Sequence, residues 1–199
     1  SLINATAMQS AIYTLGQAAS ARNYNLPVQE LSYLYQQKCS FISDSAGTVL
    51  IFLHVSLIEN SNTWNLYRFI NIPVALEGSV HSVAIEPEAP YLAMSDKKDG
   101  FMFLTDEQLR QCERAPGMYL CPQMAYEYRH TEQYCLPSLF LGNKNVETAC
   151  RTAVVPARIQ VEQIGSREYY IYHPTHERMT ISCHYAQTAG TYVKETPEW

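Results

Sequence analysis

The sequence predicts an α+β fold in which a β-rich, disulfide-braced head follows an N-terminal helix. Five of the six cysteines lie in the last half of the chain, at the ends of apolar runs that are rich in aromatic residues. The chain has 199 residues, and its fifteen tyrosines favour sheet over a helix bundle, because aromatic side chains fit a pleated surface. The cysteines are even in number and show no zinc-site spacing, so we expect an oxidising compartment.

The first segment of the chain has the spacing of a helix. Residues 2–21 place apolar and small side chains on one face, where another helix could approach closely. A second short helix is expected at Val28–Lys38. We therefore divide the chain into a helical segment, residues 1–38, and a β-rich, cysteine-containing head domain, residues 39–199. The expected helix face comprises Ile3, Ala7, Ala11, Leu15 and Ala18, with Met8, Ile12 and Ala19 beside it.

A hairpin is expected near the middle of the chain. Thr48–Ile58 is almost continuously apolar, which predicts a buried strand, and Trp64–Ile72 alternates between polar and apolar residues. The polar residues 59–62 between the two runs would form the turn of the hairpin. Thr105 is expected to begin a short helix, and Gln187–Trp199 to form an extended exit segment. Further strands are expected at Val80–Ile85, Tyr91–Met94, Phe101–Leu104, Arg158–Val161, Glu168–Tyr172 and Met179–Cys183.

The cysteine spacing predicts two local disulfides. Pro116-Gly117 lies midway between Cys112 and Cys121 and favours a type II turn, which brings the two cysteines together. Cys135 and Cys150 close a second loop. Elimination leaves Cys39–Cys183 as a long-range bond. Six cysteines allow many other connectivities, and the sequence by itself leaves them open.

The remaining chemistry is sparse, and we expect no catalytic residue, no cofactor and no metal. A net charge of −5 argues against nucleic-acid binding, and no run of about 18 apolar residues could span a bilayer. His173, His176 and His184 lack an acidic or cysteine ligand at a familiar spacing. They are either ordinary exposed histidines or a switch that charges between about pH 5 and pH 7. Asn4-Ala5-Thr6 is a glycosylation sequon.

The order of strands and cysteines resembles a known family. The runs TVLIFLHVSLI, WNLYRFINIPV and YLAMSD are followed by GFMFLTDEQLRQC, then by a second cysteine pair, an aromatic strand and a terminal cysteine. This arrangement, over roughly residues 24–183, resembles the ectodomain of baculovirus F-type fusion glycoproteins and the related envelope proteins of gypsy-like LTR retroelements. The family belongs to the class I fusogens, whose trimeric, β-rich heads are similar to the paramyxovirus F head.

The resemblance implies an extracellular function in membrane fusion and cell entry. Residues 1–21 would be the end of the first heptad-repeat region, and the rest would be the head of a homotrimer on the virion or cell surface. A target membrane would be engaged by parts outside this chain, and a host receptor would be a further partner. The chain is then expected to be a piece of a membrane-anchored ectodomain. The alternative is a secreted, disulfide-braced module that binds a protein ligand through its tyrosine-rich surface.

Overall fold

The computed structural model describes residues 4–60, 63–123, 127–172, 178–182 and 191–195, the last two ranges as backbone only. Its helices are α1 (Ala5–Ser20), α2 (Leu31–Leu34), α3 (Asp106–Arg110), α4 (Cys135–Leu141) and α5 (Val146–Ala149), with a 3-10 turn at Thr131–Gln133. The strands in the first half are β1 (Tyr24–Asn25), β2 (Cys39–Ser43), β3 (Val49–Leu53), β4 (Ile58–Glu59), β5 (Trp64–Arg68), β6 (Val74–Ala75), β7 (His81–Glu86) and β8 (Tyr91–Ser95). Those in the second half are β9 (Phe101–Leu104), β10 (Glu113–Ala115), β11 (Met118–Leu120), β12 (Arg151–Pro156), β13 (Gln160–Gln163), β14 (Tyr169–Tyr172), β15 (Arg178–Ser182) and β16 (Thr191–Glu195).

The expected α+β, β-rich and disulfide-braced class is confirmed, and the chain forms two compact units. The first unit combines Ser1–Tyr67 with Ala93–Arg129, and the second combines Arg68–Leu92 with His130–Trp199. Each unit is therefore built from two separated stretches of chain. The first unit holds α1 together with β2, β3 and β4, and the sequence-based division at residue 38 stays a prediction.

Helix α1 buries the residues that the sequence placed beside the expected face, together with Leu15 of that face. Met8 and Ala19 are buried and Ile12 and Leu15 are half-buried, which is the i, i+4, i+7, i+11 spacing of one helical stripe. The helix packs against β1 and α2, and Leu34 of α2 is buried. The small residues of the neighbouring stripe, Ala7, Ala11 and Ala18, stay exposed. The second helix is shorter than expected, spanning Leu31–Leu34 rather than residues 28–38.

The expected hairpin between Thr48–Ile58 and Trp64–Ile72 is wrong. Strand β3 pairs instead with β2, and Ile58 pairs with Asn25 of β1. The physical reason is the turn between β2 and β3, where the Asp44 carboxylate accepts N–H bonds from Ala46 and Thr48 at 2.9 and 2.8 Å. Gly47 supplies the positive φ of 83° that closes this turn.

The core of the first unit lies around strand β9. Strands β5, β8 and β9 form a three-stranded sheet with β8 in the centre, and most of its residues fall in this unit. Phe101 is fully buried; its ring stacks on Tyr128 at 5.6 Å and meets Phe103 edge-on at 5.4 Å. Thr105 caps α3 through a capping box with Gln108, as expected for a helix that begins there.

The core of the second unit lies around strand β7, which pairs with β12 on one side and β6 on the other. Ser82 of this strand is fully buried, and its hydroxyl is 2.8 Å from the Tyr172 hydroxyl. This bond satisfies two polar groups that would otherwise be costly to bury. The sequence analysis missed β12, and it expected an extended exit segment where the structure has β16.

Candidate functional site

The first disulfide holds a hairpin in the first unit. Cys112 and Cys121 are bonded, with their Cα atoms 4.2 Å apart, and they flank the antiparallel pair β10 and β11. The two-residue turn between these strands is Pro116-Gly117, and Gly117 has the positive φ of 69° that a type II turn requires. The local pairing expected from the spacing is therefore formed.

The second disulfide, Cys135–Cys150, joins the start of α4 to the end of α5 in the second unit. Cys135 is buried, with 2% of its surface exposed. The Glu88 carboxylate accepts the backbone N–H groups of Cys135 and Leu136, two of the donors that a helix start leaves without an intrahelical partner. Glu88 lies 47 residues before Cys135 and no local motif marks it, so the sequence analysis missed this contact.

The third predicted pair is not formed among the described residues. Cys39 is exposed and is bonded to no other described cysteine. Cys183 lies outside the described residues, so the Cys39–Cys183 bond stays a prediction. His173, His176 and His184 also lie outside them, and the pH switch assigned to these histidines stays a prediction as well.

Glu113 joins three parts of the first unit. One of its carboxylate oxygens accepts a hydrogen bond from the Tyr33 hydroxyl, and the other accepts one from Ser56 at 3.1 Å. Burial, followed by the hydrogen bond to Glu113 and the charge of Glu113, raises the pKa of Tyr33 to about 12. Glu113 follows Cys112 directly in the chain, so the first disulfide also positions this carboxylate. Its partners lie more than fifty residues away, and nothing in the sequence marks them.

The glycosylation sequon has a structural use. The Asn4 side chain accepts the Ala7 N–H at 2.8 Å and is the N-cap of α1. Asn4 is exposed, and the atom that caps the helix is its amide oxygen rather than the amide nitrogen that would carry a glycan. Glycosylation at Asn4 stays a prediction.

Helix α1 presents two exposed features. The first is the alanine stripe, defined as Ala7, Ala11 and Ala18. The second is a shallow groove of about 490 Å³ on another side of the helix, lined by neutral side chains. Gly16 lies in that groove, and a Cβ built on it would meet nothing within 4 Å. The lining residues are Gln9, Ile12, Tyr13, Gly16, Gln17, Ser20 and Gln29.

The antiparallel pair β2–β3, here called the ribbon (residues 39–53), presents an apolar surface to solvent. Phe41 of β2 is 73% exposed. Leu50 of β3 is 57% exposed, so the prediction that this strand is buried is wrong. Exposed apolar patches of this kind mark interaction sites more often than chemistry. Within the described residues, no group of three or more His, Cys, Asp or Glu side chains could hold a metal ion. None of the described helices combines the length and apolar composition needed to cross a bilayer.

Comparison with known proteins decides the family. Residues 16–195 match the sequence profile described as baculovirus F protein, which covers both units and both disulfides. The chain belongs to the baculovirus F protein family. No curated protein and no solved structure shows a significant match to it.

Membership in the baculovirus F family indicates what type of protein this is and where it lies. The family is one of viral envelope glycoproteins of the fusion type rather than of enzymes, and such glycoproteins lie on the virion or cell surface. Disulfides are suited to that oxidising environment. The resemblance drawn from strand and cysteine order is thereby confirmed.

Proposed function

We propose that this chain is part of the head of a class I fusion glycoprotein that mediates membrane fusion and cell entry. The match to the baculovirus F family over residues 16–195 carries the proposal. The two disulfides support it, since disulfides form and persist in the oxidising environment outside cells, where they brace a β-rich body. The target membrane would be engaged by parts outside this chain, and a host receptor would provide attachment. The envelope protein of a gypsy-like retroelement is the other origin that the resemblance implies.

A cell–cell fusion assay tests this function. Cells that display the complete envelope protein containing this chain would be mixed with target cells carrying a cytoplasmic reporter, at about pH 5 and about pH 7. We expect content mixing in at least one of the two conditions. If antibody staining shows normal surface levels and no contents mix with any of several target cell types, the fusion function is contradicted.

The proposed homotrimer would assemble through α1. Its alanine stripe is exposed and small, so the backbones of neighbouring helices could approach closely along it. An isolated helix of 16 residues is only marginally stable in water, which favours packing on both sides. One side, with Met8 and Ala19, is already covered within the chain. The alanine stripe is an exposed side of α1 along which two further copies could pack.

Charging the alanine stripe separates assembly from folding. In the double variant Ala11→Glu/Ala18→Glu we expect folded monomers by light scattering, because both alanines are exposed within the chain and buried only in the trimer. The matched control Gln9→Glu/Gln17→Glu adds the same charge to exposed positions on another side of α1 and should leave the trimer intact. If the alanine variant still forms a trimer, the trimer does not assemble through the alanine stripe of α1. The same conclusion follows if the unmodified chain is a monomer at micromolar concentration.

A further inference from the structure

The two disulfides differ in how far solvent reaches them. In the first, Cys121 is exposed and Cys112 is half-buried. In the second, Cys150 is half-buried and Cys135 has only 2% of its surface exposed. Thiol–disulfide exchange begins when a thiolate attacks one sulfur of the bond, so its rate depends on access to that sulfur. The first disulfide is therefore the one that a reductant in solution reaches more easily.

The first disulfide also holds the backbone that carries Glu113. On one side, the Cys112 N–H donates to the Leu109 carbonyl at 3.1 Å and closes the final turn of α3. On the other side, Glu113 begins β10, which pairs with β11 in a two-stranded sheet. A two-stranded hairpin is marginally stable by itself in water. We therefore expect the bond across the open end of this hairpin to fix the position of Glu113.

Glu113 connects the disulfide to helix α2. Its carboxylate accepts hydrogen bonds from the Tyr33 hydroxyl of α2 and from the Ser56 hydroxyl. Hydrogen bonds to a charged group are roughly twice as strong as bonds between neutral groups. Helix α2 spans four residues, Leu31–Leu34, and so short a helix depends on its tertiary contacts. The bond from Tyr33 is one of these contacts.

Helix α2 in turn packs against α1. A continuous set of contacts thus runs from Cys112–Cys121 through Glu113 and Tyr33 to α2, and from α2 to α1. All of these residues lie in the first unit. A change at the exposed disulfide therefore has a physical route to both helices.

We propose that the Cys112–Cys121 disulfide is a redox-sensitive switch that controls the packing of α2 through Glu113. A dithiol reductant supplies two electrons and two protons: its own thiols form a disulfide, and Cys112 and Cys121 become thiols. The hairpin then loses its crosslink, the Glu113 carboxylate moves away from Tyr33 and Ser56, and α2 loosens against α1. The switch uses only the first unit, so it is independent of the fusion function and of the trimer proposed above.

The order in which the disulfides open is measured by timed treatment of the chain with dithiothreitol. Thiols are alkylated at each time point and assigned by peptide-resolved mass spectrometry. We expect Cys112 and Cys121 to become labelled at least about tenfold faster than Cys135 and Cys150, because of the exposed Cys121. If the second pair opens first, or if both pairs open together, the first disulfide is not a selective switch.

Hydrogen exchange resolved by peptide measures the coupling to α2. In Cys112→Ser/Cys121→Ser we expect exchange in Leu31–Leu34 to be about tenfold faster than in the unmodified chain, with exchange in β9 unchanged. The matched control Cys135→Ser/Cys150→Ser opens a disulfide of the second unit and should leave exchange in α2 as it is. Unchanged exchange in α2 would overturn the proposal. Equal loss of protection in β9 and α2 would also overturn it, because the bond would then stabilise the whole unit.

Removal of one hydroxyl isolates the path through Glu113. Tyr33→Phe should speed exchange in α2 about as much as Cys112→Ser/Cys121→Ser does, and combining the changes should add little, because both remove the same contact. The matched control Tyr13→Phe removes a hydroxyl from a tyrosine of α1 that is 70% exposed, and it should leave the effect of the two serines intact. If Tyr33→Phe has no effect, or if its effect adds to that of the serines, the disulfide does not act through Glu113.

Discussion

Replacing Cys135 and Cys150 with serine is expected to lower the free energy of unfolding of the second unit by about 3 kcal/mol or more. The bond closes a loop with a sequence separation of 15, and removing such a crosslink releases conformational entropy in the unfolded chain. Cys135 is also 2% exposed, so the change places a polar hydroxyl in the core. The start of α4, where Glu88 accepts two backbone N–H groups, would lose its fixed position.

Urea denaturation with hydrogen exchange resolved by peptide checks this expectation, because it assigns the loss to one unit. Protection should fall in peptides of the second unit that contain α4, α5 and β12. The control Cys39→Ser alters an exposed cysteine of the first unit that lies outside both observed disulfides, and it should leave the protection of the α4, α5 and β12 peptides unchanged. If the double serine variant unfolds at the same midpoint as the unmodified chain, the disulfide does not stabilise this unit.

The second large effect is expected at Phe101, where the change to alanine should cost the first unit about 3 to 5 kcal/mol. Phe101 is fully buried, and its ring contacts Tyr128 and Phe103. Its backbone also exchanges two hydrogen bonds with Tyr128, at 3.0 and 2.8 Å. Truncation therefore leaves a cavity between β9 and Tyr128. The chain at Tyr128 cannot move to fill this cavity without breaking its two backbone hydrogen bonds to residue 101.

The chain offers a matched control for this change. Phe41→Ala removes the same side chain from a position that is 73% exposed, and at low concentration it should alter the free energy of unfolding by no more than about 0.5 kcal/mol. Chemical denaturation followed by circular dichroism compares the two variants. Equal costs at Phe101 and Phe41 would contradict the placement of the core around β9.

Local signals in the sequence were sufficient for several elements. Pro116-Gly117 specifies a turn by its own backbone preferences, so the hairpin and the Cys112–Cys121 bond followed from eight intervening residues. Thr105 caps α3 through a bond to Gln108, only three residues away. Strand β9, at Phe101–Leu104, has the bounds that its apolar run predicts. In each case the partners are close in sequence, so loop closure costs little.

The errors share one cause. Several segments of similar apolar character compete for the same pairing or packing partner. Val49–Leu53 could pair with a strand on either side, and the Asp44 turn favoured the earlier one, β2. The apolar stripe of α1 had neighbours of similar character, and the packing of β1 and α2 selected Met8 and Ala19 for burial. Hydrophobic composition does not distinguish such alternatives, because the hydrophobic effect is non-directional.

The sequence by itself determined the family, the β-rich class, the local turns and caps, and the two disulfides that close short loops. The tertiary structure alone decided which strands pair, which face of α1 is buried, and which apolar surface stays exposed on the ribbon. It also brought Glu113 to Tyr33, and Glu88 to the start of α4. These contacts join residues 47 to 80 positions apart, and a carboxylate finds such partners only after packing has fixed the backbone on both sides.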